Sequence, residues 1–129
     1  MRYLLDTCTL LWFFNDSSEL PALIAETIEN PNAKKLISIA SLWEFTIKRG
    51  LGKLDFEGGI EAFGRMLSAN KIAILPINES YLIILEQLPL LHRDPFDRIL
   101  VATAIAEGMT ILTADTNIRQ YDVMWSWNT

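Results

Sequence analysis

Asp94-Pro95-Phe96-Asp97-Arg98-Ile99-Leu100-Val101-Ala102-Thr103-Ala104-Ile105-Ala106-Glu107-Gly108 runs directly into Met109-Thr110-Ile111-Leu112-Thr113-Ala114-Asp115. The first stretch reads as a helix, because Asp94 is a natural N-cap, Pro95 a natural first helical residue and Gly108 a stop. Its body, from Phe96 to Glu107, is apolar almost all round, so it must be buried. Residues 110–113 then form a short apolar strand, with an acid two positions beyond its end. Asp97 shares the helix face of Leu100, Val101 and Ala104, so it is driven inward, where a carboxylate needs a partner.

The same alternation extends outward from this stretch. Tyr3-Leu4-Leu5 is a strand closed by Asp6, and Leu10 to Phe14 continue as an apolar helix until Asn15-Asp16-Ser17-Ser18 breaks the pattern. Residues 21–29 have helical spacing and stop at Asn30-Pro31-Asn32; Leu36-Ile37-Ser38-Ile39 is the second strand. A helix opens at Ser41 and runs through Arg49, with Gly50 and Gly52 as its stop. Gly58-Gly59 precedes a helix over residues 60–69, and Ile72-Ala73-Ile74-Leu75 is the third strand. Residues 80–88 are again helical, 91–95 form a loop, and Tyr121 to Trp125 add a fifth, short strand. Strands separated by helices predict an α/β fold: three layers, α/β/α, around a mainly parallel sheet of four to five strands. The continuously apolar strands suit a sheet covered on both faces. With no repeat, low-complexity tract or linker, residues 1–129 are expected to form a single domain.

Half of the 129 residues are hydrophobic, yet none of the apolar runs is long enough for a membrane span. Met1-Arg-Tyr-Leu-Leu-Asp6 reaches an acid too early for a signal peptide, and Cys8 is the lone cysteine. A cytoplasmic protein with no membrane partner is the expectation. Sixteen acids against eleven bases give a net charge of −5, which excludes a broad basic surface for nucleic acid but leaves room for a local rim. Lys48, Arg49 and Lys53 are nearest to such a rim, followed by Arg93 and Arg98; the first three equally suit a helix C-terminus.

Four acids stand at or just beyond the end of a strand, or where a helix begins: Asp6, Glu44, Asp97 and Asp115. Each has an ordinary structural use as well. Asp6 caps a helix, Ser41-Leu42-Trp43-Glu44 makes a capping box, Asp97 is a first-turn acid and Asp115 a turn or cap residue. Together they imply one place, the carboxyl edge of a parallel sheet. Carboxylates gathered there repel, and a hard divalent cation such as Mg²⁺ or Mn²⁺ removes the conflict. Thr113 and Asn117 stand close enough in sequence to complete such a site. There is no P-loop, dinucleotide fingerprint, zinc cysteine pair or nucleophile elbow, and His92, the single histidine, excludes a nuclease built on two histidines. His92 reads as a loop residue that helps place the segment bearing Asp97, and the tryptophans and phenylalanines read mainly as packing residues.

With Tyr3-Leu4-Leu5-Asp6-Thr7, Ser41-Leu42-Trp43-Glu44, His92-Arg93-Asp94-Pro95-Phe96-Asp97-Arg98 and Leu112-Thr113-Ala114-Asp115 in order, the chain resembles the PIN-domain ribonucleases. Within them it is most similar to the VapC toxins of toxin–antitoxin pairs. The resemblance implies a PIN-like fold and a metal-dependent endoribonuclease that restrains translation and growth. One or two Mg²⁺ or Mn²⁺ ions would be held by Asp6, Glu44, Asp97 and Asp115, supported by Thr7, Thr113 and Asn117. Asn117 stands where many relatives have a further acid, and Asp94 stays a helix cap. Water activated at the metal would cut RNA to leave 5′-phosphate and 3′-hydroxyl ends. A homodimer and a cognate antitoxin, whose tail covers the site, are the implied partners. The competing readings are a catalytically silent PIN-like binding module and a phosphoryl-transfer enzyme with Asp6 as nucleophile. The second lacks the acid it needs two positions on, where Cys8 stands; a receiver-like signalling module lacks paired acids and a late lysine.

Overall fold

The computed structural model describes residues 1–127; Asn128 and Thr129, the end of the expected single domain, lie outside the described residues. Five strands, β1 (Arg2–Leu5), β2 (Lys34–Ser38), β3 (Ile72–Leu75), β4 (Thr110–Leu112) and β5 (Trp125–Ser126), form one sheet in the order β3-β2-β1-β4-β5. Every neighbouring pair is parallel, with Leu4 opposite both Leu36 and Ile111. The chain builds outward from β1 on one side, then returns to add β4 and β5 on the other. The boundary between β1 and β4 is therefore the topological switch point, where a parallel sheet opens a crevice at its carboxyl edge.

Alternation along the strands sends adjacent residues into two different cores. Leu5, Ile37 and Leu112 face α1 (Thr7–Phe14), α2 (Ala22–Glu29), α3 (Ile39–Gly50) and α4 (Gly59–Ala69). That core is rich in aromatic contacts: Phe45 and Phe63 are fully buried with ring centroids 4.6 Å apart, and Phe56 packs edge-on against Phe63 at 5.3 Å. Leu4 and Ile111 face the other way, onto α6 (Pro95–Glu107) and α7 (Thr116–Arg119). Between these helices and β3 lies α5 (Glu79–Gln87), whose Tyr81 is buried and donates to Glu107 Oε2 at 2.7 Å.

The long apolar helix expected after Asp94 is α6, and Ile99 through Ala104 are all buried. Gly108 ends it at φ +65, a left-handed conformation that glycine adopts without a Cβ penalty, and returns the chain into β4. Two differences from the sequence expectation bear on the site and its sheet. The helix bearing Glu44 starts at Ile39, not Ser41, because Ser38 accepts from the Ala40 N–H and caps it first. The predicted Ser41–Glu44 capping box is therefore absent; Ser41 is buried inside the helix. The last strand is Trp125–Ser126 instead of residues 121–125, since Tyr121 turns inward to the core and α7 occupies the preceding segment.

The sheet is less evenly covered than its apolar strands suggest, because Ala73 and Ile74 on the edge strand β3 are exposed. Within β2, Lys35 is 7% exposed, and its ammonium donates to the carbonyls of Ile28 and Asn30. A buried cation is tolerated there because it satisfies the carbonyl end of α2.

Truncating the aromatic centre of the larger core tests this packing. Phe45→Ala is expected to lower unfolding stability by roughly 3–5 kcal/mol, measured by urea denaturation.

Candidate functional site

Asp6 leaves the end of β1 at the switch point and is 9% exposed. One carboxylate oxygen, Oδ1, accepts from the Thr9 N–H at 2.8 Å and so caps α1. The other, Oδ2, accepts from Thr113 Oγ1 at 2.5 Å. Thr113, fully buried at the end of β4, in turn accepts from the Asp115 N–H at 3.0 Å. One hydroxyl thus joins two acids from opposite ends of the chain. Thr9 adds a second stitch, donating through Oγ1 to the Leu112 carbonyl at 3.1 Å. Burial pushes the Asp6 carboxyl up, while the hydrogen bonds from Thr113 and Thr9 pull it down.

Asp115 caps α7 by accepting from the Asn117 N–H at 2.8 Å, so the expected cap role is real. Asp94 likewise caps α6, accepting from the N–H groups of Phe96 at 2.9 Å and Asp97 at 3.3 Å. Asp97, in the first turn, has its Oδ2 3.3 Å from His92 Nε2, and His92 Nδ1 is 2.9 Å from the Tyr121 hydroxyl. Burial is the main reason the Asp97 carboxyl is pushed up to about 8; hydrogen bonding and charge from Asp115 come next, then the charges of Asp94 and Glu44. Glu44 lies in the second turn of α3 and pairs with Lys48 across one helical turn at 3.1 Å. Its carboxyl is also raised by burial, an effect that Lys48 opposes. Such pairs contribute only about 0.3–0.5 kcal/mol, so Glu44 can exchange Lys48 for another cation at little cost.

All four predicted acids line one open cavity of about 630 Å³. Thr7 lines it too, donating through Oγ1 to the Ser41 carbonyl at 3.3 Å. Asn117 is exposed and does not reach the cavity; its side-chain oxygen accepts from Gln120 Nε2 at 3.3 Å. The loss of the expected fifth position stems from α7: with Asp115 as cap, Asn117 contributes its backbone N–H and its side chain stays outside. Among the described residues, no three acidic, histidine or cysteine side chains stand as a ready-made ligand set. The donor chemistry nonetheless suits a hard divalent ion. The cavity offers carboxylate oxygens from Asp6, Glu44, Asp97 and Asp115; burial first, and neighbouring acids second, raise the carboxyls of Asp6, Glu44 and Asp97, and a bound cation would offset both.

Sequence reasoning named Lys48 and Arg98 only as candidates for a basic rim, and it gave Tyr121 no part in the site. Lys48 faces the cavity, and its signal was the four-residue step from Glu44. The pairing of Tyr121 with Arg98 had none: Arg98 Nη1 donates to the Tyr121 hydroxyl at 2.9 Å, completing the frame behind His92. Trp127 is buried, with its ring centroid 5.7 Å from that of Trp12, so it is a packing residue.

The PIN domain family matches residues 3–124, and the chain belongs to the PIN-domain family. Solved structures share its fold. It is similar to VapBC-1 from nontypeable Haemophilus influenzae, with a TM-score of 0.72 at 21% identity over 98% of this chain and 97% of that one. VapBC2 from Rickettsia felis, bound to a DNA fragment from its promoter, gives a TM-score of 0.76 at 20% identity over 99% and 100% of the two chains. A toxin–antitoxin complex from Klebsiella pneumoniae gives 0.59 at 22% identity over 88% and 87%. No curated protein matches the chain.

The hydroxyl bridge and the crowded carboxyls each predict a measurable effect. Thr113→Val keeps the shape but strands Asp6 and the Asp115 N–H, and is expected to cost roughly 1–3 kcal/mol in chemical denaturation. For Asp97, the folded state binds its proton more tightly than the unfolded state, whose carboxyl titrates near the ordinary 3.8. Its contribution is therefore fully present below that pH and lost as pH rises through about 8. In metal-free buffer, the melting temperature of the parent should fall relative to Asp97→Asn as pH rises across this window, as followed by circular dichroism.

Proposed function

We propose that this chain is a metal-dependent endoribonuclease of the VapC type, the toxin of a toxin–antitoxin pair. The observation behind this reading is the convergence of Asp6, Glu44, Asp97 and Asp115, from separate elements, on one cavity at the sheet's switch point. Membership of the PIN-domain family supports a nuclease, and the fold shared with VapBC-1, VapBC2 and a toxin–antitoxin complex supports the toxin role. The partners are then an RNA substrate, a cognate antitoxin and a second copy of the chain. Among the described residues no helix is long and apolar enough to cross a membrane, which agrees with action in the cytoplasm.

Asp6, Glu44, Asp97 and Asp115 hold one or two Mg²⁺ or Mn²⁺ ions in this reading. When bound, such ions activate water and stabilise charge on the scissile phosphate and its leaving oxygen. The protein's own task is positioning. Thr113 fixes the Asp6 carboxylate by donating to Oδ2, and through the Asp115 N–H it sets the start of α7. His92, braced by Tyr121, holds Asp97 at the cavity wall. Thr7 anchors the start of α1 against α3, the elements that bring Asp6 and Glu44 to the same cavity.

Purified protein with Mg²⁺ or Mn²⁺ should cleave single-stranded RNA to products with 5′-phosphate and 3′-hydroxyl ends, and excess EDTA should abolish cleavage. Asp6→Asn and Asp97→Asn should each lower cleavage by at least about a hundredfold and relieve growth arrest on expression. Cleavage that survives EDTA, or both substitutions, contradicts the metal assignment.

A further inference from the structure

An acidic cavity has to admit a polyanion if it is to cut RNA, and the charges on its wall are unequal in a way that bears on this. Asp6, Glu44, Asp55, Asp94, Asp97 and Asp115 all line it, whereas Lys48 and Lys53 are the only cations among the described lining residues. Both stand at the end of α3. The placement is built by the backbone: after α3, Gly52 takes φ +72 and the Lys53 N–H donates to the Lys48 carbonyl at 2.8 Å. This bond folds the chain back so that Lys53 sits beside the last turn that presents Lys48. The two ammonium groups are differently engaged. Lys48 pairs with Glu44 at 3.1 Å, but no ion pair or side-chain hydrogen bond among the described residues engages Lys53, which is exposed.

We infer that Lys53, with Lys48 beside it, is a phosphate-positioning residue that holds the RNA backbone at the mouth of the acidic cavity. The inference rests on the ribonuclease reading of the same site and assigns which wall receives the strand. Two properties favour phosphate as the occupant. An unpaired ammonium next to six carboxylates is spared for a ligand the acids themselves repel, and lysine suits a phosphate oxygen as a compact point charge. Lys48 joins it once Glu44 is otherwise engaged, because the helix pair is weak and half-exposed. The same cavity is also lined by Leu11, Trp12 and Leu54, which offer a base a non-polar surface while its phosphate meets the ammonium groups.

The test compares Lys53→Met and Lys53→Arg with the parent, using a short fluorescein-labelled single-stranded RNA. Binding is read by anisotropy against salt concentration in an Asp97→Asn background, and cleavage is read with Mg²⁺ in the otherwise native chain. Lys53→Met should weaken binding roughly threefold to tenfold at low salt and reduce the salt slope by about 0.7, the value for one phosphate contact on a single strand. KM should rise with a smaller change in kcat, and Lys53→Arg should restore the salt slope. Lys34→Met, on the opposite edge of the sheet, should change none of these. Asp55→Asn, which removes a repelling charge from the same wall, should tighten binding. Unaltered slope and KM in a Lys53→Met protein of parental melting temperature would overturn the inference while leaving the ribonuclease reading intact. A parent that neither binds nor cuts RNA would overturn both.

Discussion

The hydrogen bond from Thr113 to Asp6 ties the two halves of the site together. It crosses the switch point between β1 and β4, the place where the sheet reverses its direction of growth. The same hydroxyl receives the Asp115 N–H, so one buried oxygen fixes the exit of the first strand and the exit of the fourth. A hydroxyl suits this place because it donates and accepts at once. Beside it, Thr9 donates to the Leu112 carbonyl, so α1 cannot shift along β4 without breaking the Thr9–Leu112 and Thr113–Asp6 contacts.

The acids depend on this frame for their chemistry. A carboxylate in solvent stays ionised and holds little for a cation; a carboxylate among others behind a partly buried wall resists ionisation until a cation compensates it. On Asp97, burial, Asp115, Asp94 and Glu44 all act in one direction. Glu44 differs because Lys48 already compensates it. Among the acids lining the cavity, Glu44 thus has a lysine counterion one helical turn away.

Much of the fold was legible because its signals are strong and local. The apolar run of α6 between Asp94-Pro95 and Gly108 fixes a buried helix, and β3 was found at its full length because Pro76 closes it. The start of α3 was misplaced because Ser38 and Ser41 are both plausible caps, and only the end of β2 at Ser38 decides between them. Asp6, Asp97 and Asp115 stand at a strand end or a helix start, places that the topology gathers, whereas Glu44 reaches the same cavity from the second turn of α3. Asn117 lies outside the cavity lining because Asp115, as the cap of α7, engages its backbone N–H, a side-chain placement that spacing alone does not give. The contacts of Tyr121 with His92 and Arg98 were invisible because each joins residues more than twenty positions apart.

The strand order has a consequence for synthesis. β1 is made first but sits in the middle of the sheet, and its second neighbour, β4, begins at Thr110. On the ribosome, Asp6 and Glu44 emerge early, yet neither the Thr113 hydroxyl nor Asp115 exists until most of the chain has been translated. The cavity has no partial form that a growing chain could use. A chain assembled in this order cannot gather its four acids in one cavity until its own translation is nearly complete.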